Sequence, residues 1–191
     1  MTRRNTVFRG TISRGTAFLG AVLPLVILLS AGGAAAQQPA PVPAPNRTTA
    51  NYDDWLVRCE AERDGTKETK LCETVQTIAG PDGRIIAQVV IGRPTGAAGD
   101  KILAELPAGV LLPPGVAIRV GDKQVASLTF RRCLQSCLAE AELSKQSLDA
   151  LANATQPISL GFSDGAGKSV ALPMSAKGLR NAYAAGSAPG K

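Results

Sequence analysis

The stretch VAIRVGDKQVASLTF, residues 116–130, decides the fold class. Apolar residues in its first third alternate with Ala117 and Arg119, the period-two pattern of a strand with one buried face. Gly121 then begins a tight connection into a second extended run over residues 124–130. The stretch therefore predicts a β-hairpin.

The same kind of pattern recurs on both sides of this hairpin. Further runs are apolar or alternating and are bounded by turns rich in Gly and Pro. They cover residues 53–59, 71–79, 84–91, 101–106, 158–162 and 168–172. The polar segment 61–70 between two of them is predicted to be a loop. Many short strands with such turns predict a mainly β domain that is β-sandwich-like, with a barrel-like arrangement as the alternative.

Two short helices are predicted to interrupt the strands. Residues 138–152 carry leucine and alanine at positions that fall within one stripe at 100° per residue, and Asn153 ends that helix. Ser175 can cap a second helix that runs to about Ala185 and stops at Gly186.

The N-terminus has the features of a signal peptide over residues 1–36. Four arginines precede an apolar core at 18–29, and three alanines then form a small-residue site, which predicts cleavage between Ala36 and Gln37. The alternative is an uncleaved membrane anchor, but the apolar core has about 12 residues and a spanning helix needs about 20.

The mature chain divides into three parts by composition. Residues 37–51 are rich in Pro and Ala and are predicted to be a disordered linker, with a spacer from a membrane as the alternative. Residues 52–186 form the predicted β domain, and 187–191 form a tail. The domain is expected to have no stable membrane span after cleavage of the leader.

The charge of the chain comes mainly from the leader. The formal net charge is +6, but the leader holds four of the 21 basic residues and none of the 15 acidic ones. The 17 remaining Lys and Arg residues are interleaved with acids, whereas nucleic-acid binding needs basic residues concentrated on one surface. We therefore expect no nucleic-acid partner.

An exported chain meets an oxidising compartment, so its four cysteines are predicted to form disulfides. Four cysteines allow three pairings. The local pairing, Cys59 with Cys72 and Cys133 with Cys137, closes the shortest loops. A thioredoxin-like redox pair would have two intervening residues instead of three. Zinc is not expected, because the C-x2-C spacing and histidine are both absent.

The absence of histidine excludes several catalytic arrangements, including the Ser-His-Asp and Cys-His types. Residues 161–165 match the pattern G-x-S-x-G, and residues 165–169 resemble the end of a P-loop. Both lie between two predicted strands, without the helix that either motif requires. A hairpin turn is the better interpretation, and we predict no catalytic residue, no metal and no cofactor.

Carboxylates are the remaining candidates for catalysis. Asp53 and Asp54 are adjacent, so in a strand they would point to opposite faces. Five acids surround the first cysteine loop, but basic residues interleave with them, which indicates a solvated mixed-charge loop. They are Glu60, Glu62, Asp64, Glu68 and Glu73. Arg131 and Arg132 could hold an anion, although a solvated strand end is the preferred interpretation.

A series of motifs resembles the invasion-associated locus B family of exported Gram-negative proteins. The series covers residues 52–185 and has a Trp shortly before the first Cys, a second Cys, a Pro-rich segment, a close Cys pair ahead of a helix, and a Ser-x-Lys-Gly segment. It reads Trp55-Leu-Val-Arg-Cys59, Cys72, Leu106-Pro-Ala-Gly-Val-Leu-Leu-Pro-Pro-Gly115, Cys133 with Cys137, and Leu172-Pro-Met-Ser-Ala-Lys-Gly-Leu179. Ser136 and Leu179 depart from the usual glycine and aromatic residue of the family.

The resemblance implies a β-rich, disulfide-bonded domain in the periplasm, with outer-membrane association or secretion as alternatives, and no known catalytic residues. The family name comes from members linked to host-cell entry, although similar proteins occur in free-living bacteria. We therefore predict a non-enzymatic envelope or surface interaction protein with an unidentified envelope or host protein as its partner. A periplasmic structural or chaperone-like component is the alternative.

Overall fold

The computed structural model of the chain describes residues 46–64 and 67–187. This part contains ten strands and two helices. In chain order they are β1 (Arg47–Tyr52), β2 (Trp55–Asp64), β3 (Lys67–Ala79), β4 (Ile85–Gly92), β5 (Lys101–Pro107), β6 (Val116–Val120), β7 (Lys123–Cys133), β8 (Ser136–Glu142), α1 (Lys145–Ala152), β9 (Ile158–Ser163), β10 (Ser169–Met174) and α2 (Leu179–Ser187).

All ten strands belong to one antiparallel sheet, in the order β1-β2-β3-β4-β5-β8-β7-β6-β9-β10. Strand β7 serves both halves of the sheet, because residues 123–128 pair with β6 and residues 129–133 pair with β8. The sheet is not closed into a barrel, and β1 and β10 are its two edges. The prediction of a mainly β, sandwich-like domain with two helices and disulfides is confirmed, and the barrel-like alternative is wrong.

The core lies on the inner face of the sheet, where apolar side chains of neighbouring strands face each other across the ladder. Ile91 pairs with Ile102, and Val89 pairs with Ala104. Strand β4 buries alternate residues although its sequence is nearly continuously apolar, because only the inner face of the sheet is fully covered there.

Helix α2 covers the inner face near β2 and β3. Its Leu179 and Ala182 are fully buried in the same hydrophobic cluster as Trp55 and Val57. The hydroxyl of Thr74 in β3 donates a hydrogen bond to the carbonyl oxygen of Ala182 at 3.4 Å. The C-terminal helix is therefore part of the core of the domain.

The predicted helix over 138–152 is wrong in its first half, where residues 138–142 belong to strand β8. Cys137 and Ala139 are buried and their neighbours are not, which is the period of a strand, and β8 pairs with both β5 and β7. Helix α1 begins later because Ser144 caps it by accepting from the backbone N–H of Ser147 at 3.0 Å. It ends at Asn153, as predicted.

Three predicted boundaries are also corrected. Strands β2 and β3 extend through most of the predicted loop 61–70, and their register continues to Asp64 opposite Lys67. Residues 47–51 of the predicted linker form β1 against β2. Helix α2 begins only at Leu179, because Gly178 before it has a positive φ of 87°, which interrupts regular helix. The helix continues to Ser187, past the predicted stop at Gly186.

The predicted signal peptide, its cleavage site at Ala36 and Gln37, and the first part of the linker lie outside the described residues. Within residues 46–64 and 67–187, no helix is long and apolar enough to cross a membrane.

Candidate binding surface

The disulfide between Cys59 and Cys72 braces the inner face of the sheet. The two residues are directly opposite in the register of β2 and β3, with their Cα atoms 4.0 Å apart. Cys59 is buried in the hydrophobic core, and Gly186 of α2 lies close to Cys72. Because Cys59 is buried in the core, this position is that of a structural crosslink.

The disulfide between Cys133 and Cys137 closes the turn between β7 and β8. Here too the residues face each other in register, with a Cα–Cα distance of 4.0 Å. The pair was expected ahead of a helix, but it lies at the tip of a β-hairpin. The backbone N–H of Leu134 donates to the carbonyl oxygen of Ser136 at 2.9 Å, so the turn is held by a covalent and a hydrogen bond.

This turn presents a leucine to solvent. The side chain of Leu134 is 78% exposed, and that of Ile85 at the start of β4 is 63% exposed. Register places both at one end of the sheet, because Pro107 at the end of β5 pairs with Ser136. Ile85, Pro107 and Ser136 line one shallow groove of about 310 Å³.

The loop that follows β5 carries two further exposed leucines, Leu111 and Leu112. The backbone N–H of Leu111 donates to the carbonyl oxygen of Ser163 at 3.0 Å, and the N–H of Gly115 donates to that of Leu112 at 2.8 Å. The loop is thus tied to β9 and to itself. We use the term apolar end for Ile85 and Leu134, which lie at the same end of the sheet.

Arginines border the apolar end. Arg131 pairs with Glu140 at 3.2 Å, and Arg84 pairs with Asp82 at 2.5 Å, while Arg132 has no ion pair among the described residues. The arginine pair at 131–132 is exposed, which is the solvated strand end that the sequence predicted. Of these three arginines, Arg132 alone has no acidic partner among the described residues.

A cleft of about 390 Å³ lies beside the C-terminal half of α2 and contains a different polar cluster. Tyr183 donates its hydroxyl to the Asp100 carboxylate, which also pairs with Arg93 at 3.0 Å. Burial, followed by the hydrogen bond to Asp100, raises the pKa of Tyr183 to about 12. The polar groups of this cluster satisfy one another, which indicates a structural role.

The acidic candidates are not brought together. Asp53 and Asp54 lie in the turn between β1 and β2, so their predicted strand placement is wrong; Asp53 pairs with Lys177 at 3.2 Å, and Asp54 accepts from Ser175. Glu60 pairs with Arg47, and Glu73 pairs with Arg58 at 2.7 Å. The side chains of Glu62, Asp64 and Glu68 lie outside the described residues.

Both sequence motifs near residue 165 form the predicted hairpin turn. Strand β9 ends at Ser163 and β10 begins at Ser169. The Asp164 carboxylate accepts from the backbone N–H groups of Ala166 at 3.0 Å and Lys168 at 2.9 Å. Neither motif precedes a helix, so neither has the context that its chemistry needs.

Over the described parts of the chain, no three His, Cys, Asp or Glu side chains lie close enough together to hold a metal ion. The apolar end is the feature that sequence reasoning missed, because exposure of a leucine cannot be read from its identity. The available signal was Leu134 between two cysteines in a short turn, where no core position is possible.

The chain resembles proteins of one family along most of its length. Residues 55–187 match the model of the family described as Invasion associated locus B (IalB) protein. Invasion protein B homologues of Brucella abortus strain 2308 and of Brucella abortus biovar 1 strain 9-941 are each 29% identical over 110 residues, which cover 54% of this chain and 58% of theirs. The match thus spans less than two-thirds of these relatives.

A solved structure shows the same fold. The crystal structure of invasion associated protein B from Bartonella henselae superposes with a TM-score of 0.58 and 16% identity, covering 72% of this chain and 93% of that one.

Proposed function

The chain belongs to the invasion-associated locus B family, and we propose that it is a non-enzymatic, exported envelope protein that binds a protein partner through its apolar end. The partner is a protein of the envelope or of a host surface, with an apolar pocket and acidic groups around it. The names of the relatives refer to invasion, and a host partner is the form of the proposal that would agree with those names.

The observation that carries the proposal is the exposed Leu134 on a turn closed by a disulfide. A large apolar side chain in water costs free energy, and burial in a pocket would return about 2 kcal/mol. Because the turn between Cys133 and Cys137 is already fixed, little conformational entropy would be lost on binding. An exposed apolar side chain held in one position in this way supports a role as the anchor that fills an apolar pocket of the partner.

The charges around the apolar end support the choice of partner. Arg132 is exposed beside it and has no ion pair among the described residues, so a complementary surface would carry a carboxylate opposite this residue. Charge complementarity of this kind accelerates encounter and selects the partner, whereas the apolar contact provides most of the affinity.

Export is supported by the predicted leader and by the two disulfides, because structural disulfides persist in oxidising compartments. The proposed location is the periplasm, with outer-membrane association or secretion as alternatives. The non-enzymatic part of the proposal is supported by the pairing of Glu60 and Glu73 with arginines, which leaves no convergent pair of acids among them.

Site-specific photo-crosslinking in the native envelope tests the proposal. A benzophenone amino acid replaces Leu134 in one variant and Lys123, exposed at the other end of β7, in the matched control. We expect a discrete adduct from position 134 and none from position 123. The same adducts from both positions would contradict the assigned surface.

A pull-down with Leu134→Ser measures the contribution of the anchor. We expect recovery of the crosslinked partner to fall at least about tenfold, as for a hot-spot residue. Recovery of many unrelated proteins both by the natural protein and by Leu134→Ser would instead support the chaperone-like alternative. A hydrolase activity of the purified protein that is lost in Glu62→Ala or Asp64→Ala would overturn the non-enzymatic assignment.

A further inference from the structure

The two edges of the sheet are not equivalent. Strands β1 and β10 each pair on one side only, so alternate residues of each carry backbone N–H and C=O groups that point away from the sheet. Such a row of groups can accept another strand unless the edge is protected. The sequence protects one edge and leaves the other open.

Strand β10 is the protected edge. Two observations fix which of its residues direct their backbone groups toward β9 and which direct them outward. They are the hydrogen bond from the Asp164 N–H to the Lys168 carbonyl oxygen at 2.9 Å and the uninterrupted register with β9. In this antiparallel ladder, Ser169, Ala171 and Pro173 direct their backbone groups outward. Pro173 has no N–H to donate, which blocks strand addition at this edge.

Strand β1 is the open edge. The Ala61 N–H donates to the Asn46 carbonyl oxygen at 2.7 Å, and the register with β2 continues without a shift to Tyr52. The outward groups therefore belong to Arg47, Thr49 and Asn51. Residues 47–51 are all exposed and include no proline, no lysine and no bulge, and their one charged side chain, Arg47, is paired with Glu60 of β2.

We propose that a second copy of this chain pairs with this edge, β1 against β1 in antiparallel orientation, with the two-fold axis passing Thr49. In this register Thr49 faces Thr49 of the second copy and Arg47 faces Asn51 of the second copy. All of these are outward residues, so each facing pair can exchange two backbone hydrogen bonds.

The side chains of β1 favour a second copy over a strand of different sequence. Arg47 is the single charged residue of β1, and in this register it faces an asparagine, so no like charges oppose each other. Facing threonines are a favourable cross-strand pair. Because Pro173 blocks the other edge, the assembly closes at two copies and does not grow into a filament.

The short polar strand predicts a weak, concentration-dependent dimer. Sedimentation velocity of the natural protein over a wide concentration range should show a monomer–dimer equilibrium. Thr49→Pro removes an outward N–H and leaves the ladder with β2 intact, and we expect it to raise the dimer dissociation constant at least about tenfold. The control Thr49→Ala keeps the N–H and loses only the facing threonine pair, so it should raise the dissociation constant by no more than about fivefold.

A crosslinking measurement covers the case in which Thr49→Pro fails to fold. Thr49→Cys should form an intermolecular disulfide under mild oxidation, whereas Ser127→Cys, on an exposed site of β7, should not. A natural protein that stays monomeric at about millimolar concentration, or a dimer that Thr49→Pro leaves unchanged, would overturn the proposal.

Discussion

The indole Nε1–H of Trp55 donates a hydrogen bond to the backbone carbonyl oxygen of Ser175 at 2.9 Å. The two residues are 120 positions apart in the chain, so this bond fastens the segment after β10 to the start of β2. Gln76 completes the attachment, because its side-chain oxygen accepts from the Ser175 N–H at 3.1 Å. A serine predicted as a helix cap thus serves as the point where the C-terminal segment joins the sheet.

Replacing Trp55 by Phe should lower the free energy of unfolding by about 2 kcal/mol, through loss of this hydrogen bond and of packed volume. Trp55 is 2% exposed, so water cannot replace the lost donor. Urea denaturation measures the change. Lys177→Ala removes an exposed ion pair with Asp53 beside the same segment and should change stability by less than about 0.5 kcal/mol. Equal effects of the two variants would show that the indole bond contributes nothing.

The alternation of apolar residues predicted most strands, because the period is a local property that the sheet then uses directly. The run at 116–120 became β6 unchanged, with Val116 and Ile118 buried. Residues 138–142 show the limit of this reasoning. Their apolar positions fit a helix as well as a strand, and only pairing with β5 and β7 selects the strand.

The candidate site was less predictable than the fold. Local pairing of Cys133 with Cys137 followed from sequence distance, but the exposure of Leu134 depends on where the hairpin lies in the finished sheet. Ile85 and Ser136 line one groove only because contacts between residues far apart in the chain bring them together. The same long-range contacts determine that the Leu134 side chain is exposed.

Gly178 is required by its backbone conformation and by its surroundings. Its φ is 87°, and an added Cβ would meet the carbonyl oxygen of Tyr52 and lie 3.1 Å from the Cβ of Asp53. Gly178→Ala should therefore cost at least about 2 kcal/mol. Gly83 has a φ of 77° with nothing near its added Cβ, so Gly83→Ala should cost about 1 kcal/mol. Thermal denaturation of both variants would separate the clash from the backbone strain; equal losses would argue against the clash.

Tyr183 should make the protein less stable at alkaline pH. Burial raises its pKa in the folded protein to about 12, above its ordinary value of 10.0. The folded state therefore holds the phenolic proton more tightly than the unfolded state. This contribution to stability is complete below pH 10 and is lost as the pH rises to about 12.

Urea midpoints at pH 9 and pH 11 would measure this loss. Tyr183→Phe has no phenolic proton, so its midpoint should fall less between the two pH values than that of the natural protein. At pH 9 the variant should still be less stable, because its ring cannot donate to Asp100. Tyr52→Phe leaves the Tyr183 proton in place and should keep the slope of the natural protein. Identical slopes for all three proteins would rule out Tyr183 as the source.

The two disulfides should differ in what they support. By the chain-entropy relation, the bond across 13 residues stabilises the fold by about 3 kcal/mol and the bond across 4 residues by about 2 kcal/mol. Replacing Cys59 and Cys72 together by Ala should therefore reduce stability more than replacing Cys133 and Cys137. Capture of the partner should respond in the opposite order, because only the second pair fixes the turn that presents Leu134. Each double variant is the control for the other, with denaturation and pull-down measured on both. If the variant lacking Cys133 and Cys137 captures the partner as well as the natural protein, a prefixed turn is not needed for binding.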